Sequence, residues 1–426
     1  MFVEVFMKAK FLTVITLGLL LVACSEDSKP TAAETTDNGS STEDSSAEPV
    51  DYSKGRAMNK RLGKGINLGN AWDGASYYTC GTLKDDLDAE KTDSYVPLAP
   101  ADSSYLNNMP SKQYNYGCAD RLDSSWNNPI KDEYFQLVKS AGFNSVRIPV
   151  RWQHNSNPET HEVNPARLNG VMDDIKLAID AGLAVVVSFH WYYEIMYAGN
   201  HATTNPDYYA KEKQHFAAIW SQVAAKAEAL NFPDSMLVWD ILNEPTFVNT
   251  DILNDVMMTG YDAIRAAAPG KTIMFEAHHA AKFGDLGALK LPKDGNIIFS
   301  GHYYEPYTYS HQGHGYACKG DDAYANTAKT DMKNYVALAK MLYPDVNGGN
   351  IPMNMGEFSV TSQYGGCGKQ GPSDKMRAKW AQTTIEAAEM YDVSWHYWAL
   401  AGVGGFEAYD KQNNTWYPGF PMAFGL

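Results

Sequence analysis

The sequence is poor in cysteine and in metal-binding motifs. Its five cysteines form no Cys-x-x-Cys pair, and its 11 histidines include no His-Glu-x-x-His motif. The first absence argues against a zinc or dithiol redox site, and the second against a zincin-type metalloenzyme. Positive charge is also scarce, because 35 Lys and Arg face 50 Asp and Glu and leave a formal net charge of −15. Nucleic acids and anionic lipid surfaces are therefore unfavourable partners, whereas a neutral substrate is not repelled.

What the chain has in excess is aromatic side chains, including 10 Trp and 27 Tyr. These side chains offer large apolar faces with a polar edge, and the C–H faces of sugar rings stack on such surfaces. The composition is compatible with a glycan-binding cleft and equally with a Tyr-rich core.

The first residues are predicted to target the chain rather than to fold. Lys8 and Lys10 precede an apolar run, Phe11–Val22, that is too short to cross a bilayer as a helix. The run ends in the sequence LVAC, which resembles the cleavage box of bacterial lipoproteins, where the cysteine, here Cys24, becomes the lipid-carrying N-terminus. An ordinary secretory peptide with an incidental cysteine is the alternative.

We therefore predict a signal peptide at residues 1–23, a tether at 24–50 and one folded domain at 51–426. The tether is rich in Ser, Thr, Glu, Asp and Ala and lacks aromatic residues, so it cannot bury a core. A lipid on Cys24 would attach the exported protein to the outer membrane, on the cell surface or on the periplasmic face.

The four other cysteines can form two disulfides in an oxidising compartment. The sequence allows three pairings. Cys80–Cys118 and Cys318–Cys367 are favoured, because each pair would link the ends of one loop region.

After the tether, strand-like apolar runs alternate with amphipathic helical runs, which is the pattern of repeated βα units around a parallel sheet. Strands are predicted at 62–68, 145–150, 184–189, 237–242, 272–275, 297–300, 351–355 and 393–398. Helices are predicted at 130–141, 168–181, 210–230, 253–268, 323–342 and 374–391. Gly142 and Gly182 follow the first two helices as caps. Eight strands over about 375 residues predict a single (β/α)8 barrel rather than two domains.

Three connections are unusually long: Ala71–Pro129, Tyr304–Asp321 and the segment after Glu357. Loops of this length are commonly functional, and each of these carries a candidate disulfide cysteine. In a barrel they emerge at the C-terminal face, where active sites lie.

Polar and aromatic side chains that could form a site collect at the predicted strand ends. They are Asn67, Asn70, Arg147, His190, Asn243, Glu244, His302, Tyr304, Glu357 and Trp398. Any one of them has a structural explanation, such as an ion pair for the arginine or a helix N-terminus for Glu244. A buried polar group without a partner is costly, however, so their convergence on one rim predicts a functional site.

Six segments resemble, in order, motifs of glycoside hydrolase family 5, the family of cellulases and mannanases. Asn243-Glu244-Pro245 is similar to the acid/base motif and Met355-Gly356-Glu357-Phe358 to the nucleophile strand. The other segments are Val146–Pro149, Phe189–His190, Gly301–Tyr304 and Tyr397–Trp398. The resemblance runs from Arg61 to Phe420 and implies a (β/α)8 barrel that hydrolyses a polysaccharide.

The resemblance implies that Glu244 is the acid/base and Glu357 the nucleophile of a retaining glycosidase. Such a pair needs carboxyl groups about 5–5.5 Å apart. We count the two residues on the fourth and seventh strands, which face each other across a barrel mouth. Arg147 and a hydrogen bond from Tyr304 are expected to keep Glu357 ionised.

The resemblance also implies a substrate-binding set: Arg147, His190, Asn243, His302, Tyr304, Trp398, Trp191 and Asn67. Within it, Asn243 would hold the sugar 2-hydroxyl, the two histidines would orient the carboxylates and the substrate, and Trp398 would be the sugar platform. The chain departs from many relatives at Trp191, where a second adjacent histidine is common. This tryptophan can add a stacking surface.

The predicted function is retaining, endo-acting hydrolysis of plant cell-wall β-1,4-glucan by a monomer without a cofactor or metal. Mannan, glucomannan, xylan and xyloglucan remain open as substrates, because fold and catalytic residues do not fix the sugar. One rival is a surface glycan-binding lipoprotein that has lost catalysis. Another is a metal-dependent hydrolase whose ligands would come from His278, His279, His302, His311 and His314.

Overall fold

The eight predicted strands pair in chain order, and the eighth closes on the first to form a parallel barrel. The computed structural model describes residues 47–73, 128–322, 324–363 and 365–426. The strands are β1 (Lys64–Asn67), β2 (Ser145–Val150), β3 (Ala184–Phe189), β4 (Leu237–Asp240), β5 (Thr272–Glu276), β6 (Ile297–His302), β7 (Met353–Glu357) and β8 (Ser394–Tyr397). The predicted (β/α)8 barrel is confirmed.

The barrel forms because its strands are apolar along their whole length. All six residues of β3 (Ala184–Phe189, AVVVSF) are buried, as expected for a parallel strand covered on both faces. β1 begins at Lys64, two residues later than predicted, because Leu62 still belongs to a helix and Gly63 turns the chain with φ +43. β4 ends at Asp240, where the predicted strand continued to Leu242.

All six predicted helices are present, and several begin where an asparagine side chain accepts a backbone N–H. Asn164, Asn205 and Asn249 are such N-caps, and proline follows the first two at the helix start. Gly142 and Gly182 follow their helices with φ +91 and +79, as predicted for caps. The helices are α1 (Ser53–Leu62), α2 (Glu133–Ser140), α3 (Pro165–Asp180), α4 (Tyr193–Asn200), α5 (Pro206–Ala229), α6 (Thr250–Ala267), α7 (His278–Ala281), α8 (Tyr307–Ser310), α9 (Ala328–Leu342), α10 (Asp374–Glu389) and α11 (Phe420–Phe424).

Helix α1 was not predicted, and it closes the N-terminal end of the barrel. Its residues Met58 and Leu62 are buried against side chains from the first half of four strands. These are Ala184, Val186, Val238, Met274 and Ile298. The opposite, C-terminal end of the barrel is therefore the end left open for a site.

Two loops at the C-terminal end are joined by a disulfide between Cys318, after β6, and Cys367, after β7. This is one of the two predicted pairs. Gly313 (φ +77) lies against the backbone of Gly366 and Cys367, so close that a Cβ on it would come within 2.6 Å of a backbone nitrogen.

Two minor strands, Tyr409–Asp410 and Thr415–Trp416, form a small ribbon after β8.

The predicted pair Cys80–Cys118, the lipidation candidate Cys24 and the predicted signal peptide lie outside the described residues, and so does almost all of the predicted tether. Among the residues that are described, none of the helices has the length and apolar character needed to cross a membrane.

Candidate active site

The two predicted catalytic carboxylates meet at the open end of the barrel. Glu244 follows β4 and Glu357 is the last residue of β7. One carboxylate oxygen from each and one ring nitrogen of His302 all lie within 4.8 Å of one another. The Glu357 side chain is 6% exposed and that of Glu244 is 24% exposed, so the second is the more open to the cleft.

Glu357 is held from two sides. Arg147 Nη1 donates to Oε1 at 2.7 Å, and the Tyr304 hydroxyl donates to Oε2 at 3.0 Å. Burial and the neighbouring carboxylates raise the pKa of Tyr304 well above its ordinary value, which keeps this hydroxyl protonated as a donor. Both contacts were expected from the sequence.

Arg147 organises the floor of the site because its guanidinium reaches four strands. Nη2 donates to Asn243 Oδ1 at 2.6 Å, to Asp240 Oδ2 at 3.0 Å and to Ser188 Oγ at 3.0 Å, and Nη1 donates to Asn67 Oδ1 at 3.1 Å. The side chain is 1% exposed, so these bonds form out of contact with water. A planar fork of five N–H donors suits such a set of acceptors.

Opposing contributions set the pKa of Glu357. Burial raises the pKa of Glu357, and the positive charges of His302 and Arg147 oppose that shift without cancelling it. Burial likewise raises the pKa of Asp240 to about 7. The physical reason is that the buried carboxylates of Asp240, Glu276 and Glu357 share two cationic groups in a nearly dry site, so burial and mutual repulsion oppose their ionisation.

His302 lies between three of these carboxylates. Its Nδ1 is 2.8 Å from Glu244 Oε1 and 3.7 Å from Glu357 Oε2, and its Nε2 is 3.2 Å from Glu276 Oε1. Burial alone would lower the pKa of His302, but the carboxylates raise it well above the ordinary value. The ring is therefore a buried imidazolium next to the acid/base candidate.

Several buried side chains keep polar atoms without a hydrogen-bond partner among the described residues. Two of them belong to the predicted substrate-binding set: Asn243, through Nδ2, and His190, through both ring nitrogens. Burial and Arg147 lower the pKa of His190 well below its ordinary value, so the ring is neutral and offers one donor and one acceptor. Buried polar atoms left unpaired are costly, so these are natural contacts for the hydroxyl groups of a ligand.

An aromatic surface runs along one side of the cleft. The rings of Trp398 and His190 are parallel to within 2° with centroids 5.6 Å apart, and Trp191 follows with its ring centroid 4.6 Å from that of His190. A Cβ on Gly69 would lie 2.4 Å from Trp398 Cη2, so only glycine lets the indole rest on the loop after β1. The cleft has a volume of about 540 Å³, and Tyr304, Tyr307 and Phe406 also line it.

The structure brings the predicted site residues together, but Asn67, Arg147 and Asn243 of the predicted substrate-binding set are fully buried and lie outside the cleft lining. Asn67 was predicted to bind substrate, but it is fully buried and lies outside the cleft lining. Its amide donates to the Gly356 carbonyl and accepts from Arg147, so it supports the arginine beneath the site. Trp72 and Trp152 are likewise fully buried, in the core.

Sequence reasoning missed two carboxylates, Asp240 and Glu276, which are both fully buried at the ends of strands. The available signal was a lone acidic residue ending an apolar run, LVWD in β4 and TIMFE in β5. That signal equals the one used for Glu357, but neither residue belongs to a segment that resembles the family.

The ligand set of the metal-dependent alternative is not assembled in the described part of the chain. His279 pairs with Asp285 at 2.7 Å, His311 stacks on Tyr307, and His314 contacts Thr361. The group that could geometrically hold an ion there is Glu244, His302 and Glu357. Among the described residues, His302 is the only histidine of the predicted ligand set that belongs to that group.

The geometry defines a class of enzyme: a glycoside hydrolase with two carboxylic residues across the mouth of a (β/α)8 barrel. Residues 107–403 match the sequence model of the family described as cellulase, glycosyl hydrolase family 5. That match covers more than half of the chain, and the chain therefore belongs to glycosyl hydrolase family 5.

Three curated relatives illustrate the range of the family. Endoglucanase 1 of Ruminococcus albus is 25% identical over 304 residues, 66% of this chain and 68% of the relative. A xyloglucan-specific endo-β-1,4-glucanase of Bacteroides ovatus is 24% identical over 273 residues, 58% of this chain and 52% of the relative. Endoglucanase H of Acetivibrio thermocellus is 25% identical over 240 residues, 56% of this chain and 24% of the relative, so this chain spans only part of that protein.

Solved structures agree with the fold. A hyperthermophilic endo-β-1,4-glucanase in complex with substrate is 26% identical and superposes with a TM-score of 0.66 over 88% of this chain and 100% of the other. An endoglucanase of Thermotoga maritima, at 24% identity, gives a TM-score of 0.63 over 88% of this chain and 100% of the other.

Proposed function

We propose that the protein is a retaining, endo-acting hydrolase of β-1,4-glucan that works by double displacement. The observation that carries this proposal is the approach of Glu244 and Glu357, whose nearest carboxylate oxygens lie within 4.8 Å. Inverting enzymes keep the two carboxyl groups about 6.5–9.5 Å apart to admit a water molecule between carboxylate and sugar. The separation here favours direct attack by a carboxylate.

In the first step, a Glu357 oxygen attacks the anomeric carbon while Glu244 gives its proton to the departing glycosidic oxygen. The C–O bond to the leaving sugar breaks, and an ester bond to Glu357 forms. In the second step, Glu244 removes a proton from water, the water oxygen attacks the same carbon, and Glu357 is released as a carboxylate. Two inversions leave the anomeric configuration unchanged.

The residues around the pair fit these steps. Arg147 and Tyr304 hold the two oxygens of Glu357, which fixes the direction of its attack. Asn243 Nδ2 is free to donate to the sugar 2-hydroxyl, a contact that strengthens in the transition state. Trp398 and Trp191 offer platforms for successive sugar rings along the cleft.

A β-1,4-glucan such as cellulose or mixed-linkage glucan is the first choice of substrate. It is supported by the relatives named endoglucanase and by the 26% identical glucanase structure. The relative named xyloglucan-specific keeps xyloglucan open, and mannan, glucomannan and xylan share the same backbone chemistry. The long loops and aromatic walls around an open cleft favour endo cleavage.

The test is release of reducing sugar from carboxymethylcellulose, mixed-linkage glucan, glucomannan, xyloglucan and xylan. Glu244→Ala and Glu357→Ala are each expected to abolish turnover of the polysaccharide. Added azide should restore turnover of an activated aryl glycoside by Glu244→Ala, because azide needs no general base to attack the glycosyl enzyme. NMR of the first product should show the β anomer. An initial α anomer would contradict the retaining mechanism, and binding without any turnover would favour the glycan-binding alternative.

We also propose that the protein is a monomer anchored by a lipid on Cys24 in the outer membrane, at the cell surface or the periplasmic face. The support is the LVAC segment and the acidic, aromatic-free stretch that follows it. Labelling of cells with an alkyne fatty acid should mark the wild-type chain but not Cys24→Ser. Protease treatment of intact cells would distinguish the two faces, and an unlabelled wild-type chain would contradict the anchor.

A further inference from the structure

Glu276 is a fully buried carboxylate at the end of β5 that contacts the acid/base candidate from below. Its Oε2 accepts the backbone N–H of Glu244 at 2.7 Å, and its Oε1 lies 3.2 Å from His302 Nε2. Glu276 is not part of the cleft lining. Any effect on the reaction must therefore pass through the residues that it contacts, Glu244, His302 and Arg147.

The first contact holds a strained backbone. Glu244 has φ +51, in the left-handed region that non-glycine residues rarely adopt. A residue held there costs about 1–3 kcal/mol and persists only where its surroundings fix it. The buried hydrogen bond from its N–H to Glu276 is such a constraint, and it orients the peptide from which the Glu244 side chain reaches the cleft.

The second contact decides the protonation of His302. Glu276 Oε1 lies 3.2 Å from Nε2, an ion-pair contact without the alignment of a hydrogen bond, while Nδ1 lies 2.8 Å from Glu244 and 3.7 Å from Glu357. The negative charges of Glu276 and Glu357, on the two sides of the ring, favour a proton on each nitrogen, so the ring is cationic. The other charged groups near Glu276 are Arg147, whose Nη2 is 3.5 Å from Oε1, Asp240 on the adjacent strand β4, and Glu357.

We propose that Glu276 is a positioning residue that keeps His302 in its imidazolium form and fixes the peptide of Glu244, so that the cation stabilises the Glu244 carboxylate as its proton leaves. The proposal rests on the hydrolase mechanism given above. The proton passes from the Glu244 carboxyl to the leaving glycosidic oxygen, and the cation 2.8 Å away offsets the negative charge that remains. His302 keeps both of its protons throughout.

The Glu276→Gln variant removes the negative charge of residue 276 and keeps the size and shape of its side chain. Its amide oxygen can still accept the Glu244 N–H, which leaves the amide NH₂ facing His302 Nε2. The NH₂ group carries no negative charge and disfavours a proton on Nε2, so we expect His302 to become neutral with its proton on Nδ1. Glu244 keeps its backbone hydrogen bond but loses the cationic neighbour that offsets the negative charge left when its proton departs. Glu276→Ala removes both functions.

The experiment compares two substrates that differ in their need for an acid. Cello-oligosaccharides have a poor leaving group and require protonation, whereas a 2,4-dinitrophenyl cellobioside does not. Glu276→Gln is expected to lower kcat/KM at least about tenfold on the oligosaccharide, a part of what general acids supply, and to leave the aryl substrate nearly unchanged. Glu212→Gln, at another buried carboxylate outside the cleft, is the control and should not change the ratio of the two.

Imidazole ¹⁵N shifts in NMR provide a readout that does not depend on turnover. Wild type should show His302 with both nitrogens protonated at neutral pH, and Glu276→Gln should show one protonated nitrogen. An equal loss on both substrates, or no loss on either, would overturn the proposal, and so would an unchanged His302 signal. If wild type hydrolyses neither substrate, it is the proposed function that fails, and the NMR comparison still tests the link between Glu276 and His302.

Discussion

The substitution Arg147→Lys tests the buried charge network most directly. The guanidinium makes six donor contacts, all of 3.3 Å or less, to five side chains: Asn67, Ser188, Asp240, Asn243 and Glu357. Lysine keeps the positive charge but has three donors at one point, whereas arginine has five in a planar fork. At least two buried donors are therefore lost, and their acceptors have no access to water.

The expected cost follows from this count. Each buried acceptor left without a partner costs about 1–3 kcal/mol, so the free energy of unfolding should fall by about 2–6 kcal/mol. Glu357 also loses a fixed partner at 2.7 Å, which lets the attacking oxygen shift. A displacement of about 1 Å can cost about 100-fold in rate, and we expect a fall in kcat of that order.

Urea unfolding followed by tryptophan fluorescence measures the first quantity, and kcat on soluble mixed-linkage glucan measures the second. Arg377→Lys is the matched control. Arg377 is also buried, but it donates to Asp374 and to the carbonyls of Val360, Gly405 and Glu407 instead of to the carboxylates of the candidate site. The Arg377→Lys variant should be less stable than wild type, but its kcat should change much less than that of Arg147→Lys. Wild-type stability and kcat in Arg147→Lys would refute the reasoning.

Three further predictions concern other parts of the molecule. Burial raises the pKa of Glu212 to about 7 from its ordinary 4.5, so the native state retains a proton that the unfolded chain releases and stability is lost as pH rises through that interval. Below the pH range between the two pKa values, Glu212→Gln should have the same free energy of unfolding in urea as wild type. Above that range, the variant should be more stable by up to about 3 kcal/mol. Equal unfolding curves for the two proteins at both pH values would contradict this. Gly69→Ala should lower kcat/KM on glucans, because its Cβ would lie 2.4 Å from the Trp398 ring, and unchanged kinetics would show that the platform is not held there. Replacing both Cys318 and Cys367 by alanine opens a loop closed over 49 residues and should lower the free energy of unfolding by up to about 4 kcal/mol in urea, whereas a wild-type curve would rule out that contribution.

The barrel could be predicted because its strands are buried on both faces. A run such as Ala184–Phe189 is apolar throughout, and its alternation with helical segments leaves few other folds. Helix α1 was not predicted because its sequence, SKGRAMNKRL, is dominated by polar and charged residues. Only Met58 and Leu62 enter the barrel, and two apolar side chains do not make a recognisable helical face.

The residues that line the cleft could be predicted from motifs, but the buried residues beneath them could not. Glu244, Glu357 and His302 stand in short segments with a recognisable pattern. Glu276 is a single acidic residue ending a strand, and its importance depends on lying 3.2 Å from a histidine of the next strand. Asn67 was assigned to substrate for a related reason: a sequence places a side chain at the barrel mouth but does not say whether it lies above or below Arg147.

The helix that closes the N-terminal end of the barrel also sets how the enzyme can be displayed. α1 begins six residues after Ala47, where the described chain starts, and it lies on the face opposite the cleft. A tag, bead or neighbouring module joined ahead of Ala47 is therefore attached to the rear of the barrel. Immobilisation through that end should leave the mouth turned towards the bulk phase and accessible to a long insoluble fibre, whereas capture through the loops after β6 or β7 would block it.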